Sequence, residues 1–299
     1  MPYIFSPRQT FFAKLLRFTD NSGMSSPENT PQTLAFIGGG NMASAIIGGL
    51  IKQGTPAQRI LVVEPFKDAQ QRLISQFAVR VLDAANATLN EADLVIWAVK
   101  PQTFKEAALQ TSVFCTQALH LSVAAGIRSD SIAQWLGTER VVRAMPNTPA
   151  LVGLGQTGLF ARAAVSASDR NWVAQVVATT GALLWVKDEA LLDAVTALSG
   201  SGPAYVFFFI EAMVDAGVKM GLTPEQATQL AIGTFEGASH LAKTASESPS
   251  VLRERVTSKG GTTYAALSSM QQAHLGELFQ VALQAAQLRA HELGDEFGT

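Results

Sequence analysis

The chain has 299 residues, of which 47% are hydrophobic and only 15% charged, with a formal net charge of −2. That length is expected to hold about two domains, and the near-neutral balance with no basic stripe argues against a nucleic-acid partner. One cysteine, Cys115, leaves no disulfide framework and no zinc-ligand set, and fits a reducing compartment. The low charge also implies surface buried against another subunit.

The four histidines, His120, His240, His274 and His291, are scattered without metal-ligand spacing, so no metal is expected. Residues 1–33 mix aromatics with Arg8, Lys14 and Arg17 and pass into a polar run. They lack a cleavage pattern and are expected to form a disordered leader. No uninterrupted apolar run reaches the length of a membrane span, so no membrane association is expected.

An apolar run, Leu34–Ile37, ends in Gly38, Gly39 and Gly40 and is followed by the helix-compatible Met42–Ile47. Strand, glycine turn and helix start form the dinucleotide fingerprint G-x-G-x-x-A. Gly38 allows the tight turn, Gly40 lets a pyrophosphate approach the backbone, and Ala43 lets helix pack on strand. The phosphates would sit on free N–H groups at the positive end of the helix. Arg59–Val63 reads as a second strand ending at Glu64. An acid at this distance can bond a ribose 2′-hydroxyl and repel a 2′-phosphate, whereas Lys67 just beyond can pair with one.

A helix over 67–77 and a strand over 79–82 follow. Asp93–Val99 is nearly all apolar, as a parallel strand buried on both faces must be, and Lys100-Pro101 opens the next helix. Further strands are read at Leu119–Ala125, Arg140–Met145, Gly158–Arg162 and Ala182–Val186, with a helix at 168–180. Strands alternating with helices imply a doubly wound parallel sheet, with ligands beyond the strands' carboxyl ends. Ala98, Val99 and Lys100 stand at one such end and Asn147 at another.

From about residue 187 only helical patterns remain. Gly202–Met220 is apolar nearly all round, with Glu211, Asp215 and Lys219 on one narrow stripe. Such a helix belongs in a core or interface, and its phenylalanines are expected to be core. Its length and charged stripe argue against a membrane helix. Thr223-Pro224-Glu225-Gln226 is a helix start with a capping box. Ser248-Pro249 opens another helix, and the last helix is expected to stop at Gly294. Between them, Ser258-Lys259-Gly260-Gly261-Thr262-Thr263 opens a helix at Tyr264. Its backbone N–H groups and hydroxyls form a cradle for a carboxylate or phosphate, though a plain glycine turn fits the same residues.

Taken in order, GGGNMASAIIGGL, AVKPQ, SVAAGI, RAMPNTPA, SGSGPAYVFFFIEAMVDAGVKMGL and VTSKGGTTYAAL resemble the pyrroline-5-carboxylate reductase family over about residues 34–293. The resemblance implies a Rossmann-type doubly wound sheet over 34–186 and an all-helical dimerisation and substrate domain over 187–299. It implies reduction of 1-pyrroline-5-carboxylate to L-proline, the last step of proline biosynthesis, by NADPH or NADH in the cytoplasm. NADPH is favoured by resemblance, while Glu64 argues the other way. Family members are homodimers or decamers of dimers, with sites completed across the dimer.

Gly38, Gly40, Asn41, Met42 and Ala43 match the family's cofactor turn. Lys100-Pro101 and Met145-Pro146-Asn147-Thr148 match its nicotinamide side. Ser258, Gly260, Gly261, Thr262 and Thr263 match its substrate loop, with Thr263 nearest the chemistry. Lys259 departs from the pattern, which usually has proline there. Two rivals share the turn. A β-hydroxyacid-type dehydrogenase needs a base or lysine at the alcohol, for which Lys259 and Lys219 are the candidates. A non-catalytic dinucleotide-binding regulator has no need of the cradle.

Overall fold

The computed structural model describes residues 32–298, so the expected leader lies outside the described residues except for its last two positions. Thr33 is already part of the fold. Its N–H donates to Asp93 Oδ2 at 2.8 Å, and its carbonyl accepts from the Asp93 N–H at 2.9 Å.

Eight strands form one sheet: β1 (Leu34–Ile37), β2 (Ile60–Val63), β3 (Arg80–Leu82), β4 (Leu94–Trp97), β5 (Leu119–Ser122), β6 (Val141–Met145), β7 (Gly155–Ala161) and β8 (Gly181–Trp185). Their order is β3-β2-β1-β4-β5-β6-β7-β8. Every pair is parallel except β6 with β7. The sheet is thus the doubly wound, mostly parallel one expected, and its one antiparallel pair has its cause in the link over 146–154. A parallel return needs a crossover of a dozen or more residues, which this link cannot supply.

The sheet is covered on both faces by α1 (Asn41–Lys52), α2 (Lys67–Phe77), α3 (Pro101–Thr111), α4 (Ser129–Leu136) and α5 (Ala167–Ala178). One core cluster joins Phe36, Ile47, Ile96 and Val173; the other joins Trp97, Phe104, Ile132 and Trp135. Strands β1, β2 and β4 are buried at every residue, as required of parallel strands between two helical layers. The strand order reverses between β1 and β4, where ligands of doubly wound sheets bind.

The second half is helical: α6 (Leu191–Val195), α7 (Gly202–Lys219), α8 (Pro224–Thr244), α9 (Pro249–Arg255), α10 (Thr262–Gln272) and α11 (Leu275–Phe297). The capping box at Thr223 forms as read, with Gln226 N–H on Thr223 Oγ1 and Thr223 N–H on Gln226 Oε1. A π-turn at Thr196–Gly200 joins α6 to α7. The resulting helix, Leu191–Lys219, has 29 residues and is long and apolar enough to cross a membrane by length and composition. Length therefore does not exclude a membrane helix, because the helix begins eleven residues before the Gly202 start read from sequence.

Two further expectations are corrected. Two of the three α7 phenylalanines are not core within the chain, since Phe207 is 59% and Phe208 65% exposed, while Phe209 is half-buried against Phe279. Gly294 does not stop α11, which runs on to Phe297. Instead Gly294 lies under the Arg128 guanidinium, which a Cβ there would meet at 3.0 Å. Arg128 donates to Asp295 Oδ1 at 3.0 Å and to the His291 carbonyl at 3.3 Å. The end of α11 is thereby fastened to the loop after β5. Arg143 on β6 pairs with Glu189 at 2.5 Å, and Glu189 also accepts from the Ser129 N–H at 2.6 Å.

Candidate active site

Gly38 adopts φ +94, and a Cβ there would lie 2.8 Å from the Ala98 carbonyl and 3.1 Å from Val99 Cγ1. The end of β4 thus closes directly on the glycine turn, bringing Ala98 and Val99 together with Gly38. Gly40 caps α1 with extended backbone and no side-chain cap. The first-turn N–H groups of α1 are therefore without a side-chain acceptor, and a Cβ at Gly40 would meet nothing within 4 Å. Ala43 is fully buried against the strand, while Met42 packs at the edge of the same core. A cavity of about 200 Å³ opens here, lined by Gly39, Gly40, Asn41, Ser44, Arg72 and Gln76 among others. Uncapped helix N–H groups, an open position over Gly40 and a guanidinium fit a pyrophosphate.

Glu64 is 6% exposed and is bonded at both carboxylate oxygens. Oε2 accepts from the Gly39 N–H at 2.9 Å and Oε1 from the Phe66 N–H at 3.0 Å. Lys67 is exposed, its Nζ 3.4 Å from Gln70 Oε1. Lys100 is the N-cap residue of α3, with Pro101 in the first turn.

Asn147 is nearly buried, and its carboxamide is engaged within the protein. Nδ2 donates to Ser199 O and Oγ, each at 3.2 Å, and Oδ1 accepts from the Gln156 N–H at 2.8 Å. It ties the end of β6 to the π-turn, a kind of irregularity found often at functional sites. Beyond it lies an apolar opening of about 800 Å³, lined by Asn147, Leu198, Ser199, Tyr205, Phe209 and Phe279 among others.

In the loop before α10, Gly260 has φ +72, which only glycine adopts without strain. The Gly261 N–H donates to the Ser258 carbonyl at 3.0 Å. That bond takes up the Gly261 amide expected to receive a ligand. The first intrahelical bond runs from the Ala265 N–H to the Gly261 carbonyl at 3.1 Å. The Thr262, Thr263 and Tyr264 N–H groups precede it, and α10 has no side-chain cap. A Cβ on Gly261 would lie 2.6 Å from Ser258 Oγ, so glycine there brings a hydroxyl to the helix start. Neither the cavity beside Gly40 nor the apolar opening is lined by residues 258–263. Within one chain the nucleotide turn and the cradle remain separate.

Arg72, Gln76 and Leu151 line the nucleotide cavity without having been singled out from sequence. The spacing of Ala69, Arg72, Leu73 and Gln76 on one helix face was the available signal for α2; Leu151 carried none. No group of metal-ligating side chains is present among the described residues.

A glycine turn at the switch point of a doubly wound sheet, followed by a helical half, is the architecture of a two-domain NAD(P)H-dependent oxidoreductase. The comparisons with known proteins agree. The family model "NADP oxidoreductase coenzyme F420-dependent" matches residues 33–126, and "Pyrroline-5-carboxylate reductase dimerisation" matches residues 189–293. The pyrroline-5-carboxylate reductase of Pseudomonas aeruginosa is 44% identical over 273 residues, covering 90% of this chain and 99% of its own. The structure of a pyrroline-5-carboxylate reductase from Coxiella burnetii superposes with TM-score 0.83 at 38% identity, covering 88% of this chain and 98% of that one. That of Plasmodium falciparum pyrroline carboxylate reductase with NADP bound gives TM-score 0.78 at 27% identity, covering 88% and 98%. The chain belongs to the pyrroline-5-carboxylate reductase family. Its helical half is a dimerisation domain, and the protein is oligomeric.

Proposed function

We infer that this chain reduces 1-pyrroline-5-carboxylate to L-proline with NAD(P)H, with Thr263 and the start of α10 holding the substrate. The observation that carries this reading is the pairing of an open, uncapped glycine turn with a second, separate helix start bearing Ser258, Thr262 and Thr263. Bound coenzyme supplies a hydride; the protein's task is to hold the imine carbon in register with it.

A protonated cyclic imine is already electrophilic, so no strong acid or base is required at the reacting carbon. The Thr262, Thr263 and Tyr264 N–H groups and the positive end of α10 would hold the substrate carboxylate. The Thr263 hydroxyl would accept from the imine N–H and keep that partner in the amine product. Ser258 adds a hydroxyl at the same helix start. Gly38, Gly40, Asn41, Met42 and Ala43 would hold the pyrophosphate, with Ala98, Val99, Lys100, Pro101 and Asn147 lining the nicotinamide side and Glu64 and Lys67 the ribose.

The division at 34–186 and 187–299 separates these two roles. Since one chain keeps turn and cradle apart, each site would be completed by the partner of a homodimer, alone or within a decamer. A cytoplasmic location fits the single thiol, Cys115, which is buried and free.

The rivals make different predictions in one assay. Purified protein should reduce NAD(P)⁺ with L-proline at alkaline pH and oxidise NAD(P)H with 1-pyrroline-5-carboxylate. Turnover of a β-hydroxyacid instead, or nucleotide binding without turnover, would contradict the assignment.

A further inference from the structure

The loop that follows β5 stands at the carboxyl end of the sheet, where doubly wound folds bind their ligands. It begins beside the end of β4, with the Val123 N–H on the Trp97 carbonyl at 3.0 Å. The next residue of that strand end, Ala98, is the one that closes on Gly38. From the other side the loop rests on the end of α11. Gly126 has φ +70, and a Cβ there would lie 3.0 Å from Leu293 Cβ and 3.3 Å from Phe297 Cδ2. Arg128 then fastens the loop to Asp295 and to the His291 carbonyl, and Ser131 Oγ donates to the Gly298 carbonyl at 2.9 Å. A helix of the dimerisation half thus supports a loop of the coenzyme half.

One atom in this junction has two partners that it cannot serve in the same protonation state. His291 Nδ1 is 3.2 Å from Arg128 Nη2 and 3.4 Å from Asp193 Oδ2 on α6. A guanidinium only donates and an ionised carboxylate only accepts. A neutral imidazole with Nδ1 bare accepts from Arg128, whereas an imidazolium donates to Asp193. His291 Nε2 also lies 3.8 Å from Asp295 Oδ2, so the imidazolium competes for the carboxylate that holds Arg128. Arg128, Asp193 and Asp295 are the charged groups that meet His291 among the described residues. Arg289 and Glu292, its neighbours on α11, pair with each other at 3.0 Å.

We propose that Arg128 is a positioning residue for the coenzyme, acting through the loop after β5, and that a proton on His291 loosens its hold. This rests on the NAD(P)H reading above. Protonation removes an acceptor from Arg128, sets a like charge beside it and draws on Asp295. The bond gained, to Asp193, joins α6 to α11 and lies wholly within the helical half. Histidines change charge between about pH 5 and 8. Coenzyme affinity is therefore highest above that range and falls as pH drops through it.

The test is fluorescence titration of the assembled protein with freshly mixed NADH at pH 7.5 and pH 5.5, with sedimentation at both. The wild-type dissociation constant should rise about fivefold at the lower pH, the small end of coupling between sites, while the assembly stays the same size. His291→Gln offers Arg128 an acceptor and Asp193 a donor without any charge, so it should bind as the wild type does at pH 7.5 and show no pH dependence. Arg128→Ala should bind about fivefold more weakly at pH 7.5 and also lose the pH dependence.

A wild-type affinity that does not change with pH would overturn the proposal. So would full pH dependence in His291→Gln, or a wild-type loss that follows dissociation of the assembly. If Arg128→Ala does not fold, the comparison of wild type with His291→Gln decides the matter, because that side chain is more than half exposed. Failure to bind NADH at either pH would overturn the nucleotide reading itself, whereas pH-independent binding would leave the reductase assignment standing.

Discussion

The two halves of this chain meet water differently. In the sheet half, β1, β2 and β4 are buried at every position and helices cover both faces. In the helical half, α7 buries only Gly217, and Phe207, Phe208, Leu230, Leu278, Val281 and Leu288 face outward. Burying a large apolar side chain is worth about 1.5–3 kcal/mol. The first half therefore gains its stabilisation within one chain, and the second gains much of its own from another copy. Apolar composition alone does not say where a side chain is buried: the same richness makes a core in one half and an interface in the other.

The sharpest way to break this contrast is to charge the uncovered face. Phe208→Glu should abolish assembly, since a buried, unpaired carboxylate at an interface costs several kcal/mol. Turnover should fall at least about a hundredfold while coenzyme still binds the sheet half. Sedimentation together with coenzyme titration checks this, and an assembled, active variant would contradict it.

A smaller loss is expected from Gly40→Val. Gly40 has φ −73, and nothing lies within 4 Å of a Cβ there. The fold should tolerate the change, while NADH affinity falls about a hundredfold because the side chain takes the pyrophosphate's place. Gly38→Ala makes the complementary test. At φ +94 and 2.8 Å from the Ala98 carbonyl, it should lose stability as well as binding. Thermal melts beside coenzyme titration separate the two effects.

Thr263→Ala should lower kcat/KM for the imine about tenfold to a hundredfold. One bond to a charged group is worth about 1.5–3 kcal/mol. Coenzyme affinity should hardly move, because the cradle and the turn are separate in the chain. Steady-state kinetics and coenzyme titration check this split.

The smallest effect concerns acid. His120 on β5 is buried, and its Nδ1 accepts from Trp97 Nε1 at 3.1 Å. Burial pushes its pKa down to about 4. The unfolded chain therefore binds the extra proton first, and stability falls as pH drops below about 6.5 toward the folded value. Between pH 7 and pH 5.5 His120 should account for roughly 1 kcal/mol of lost stability. Urea unfolding at both pH values checks this, and His120→Gln should show a flatter profile.

Much of this was legible from sequence, for reasons that differ by element. Leu34–Ile37 and Asp93–Val99 announced buried parallel strands because both faces must be apolar. The capping box at Thr223 was local chemistry and formed as read. The antiparallel β7 was missed because its cause is the length of a link rather than its own residues. Gly294 read as a stop because helices often end at glycine, but its role is to admit Arg128, whose sequence position is remote. The bond from the Gly261 N–H to the Ser258 carbonyl likewise depends on turn geometry that composition does not carry. Glu64 was visible as an acid near the glycines; its fixing by Gly39 and Phe66 became apparent only in three dimensions.

The claim that the helical half works only as part of an assembly is tested most directly by active-enzyme sedimentation. The protein is layered over 1-pyrroline-5-carboxylate and NADH, and the zone of NADH oxidation is followed as it moves. Activity should travel only with a species of at least twice the 31.7 kDa chain mass. A zone of oxidation moving at the rate of a single chain would contradict the account.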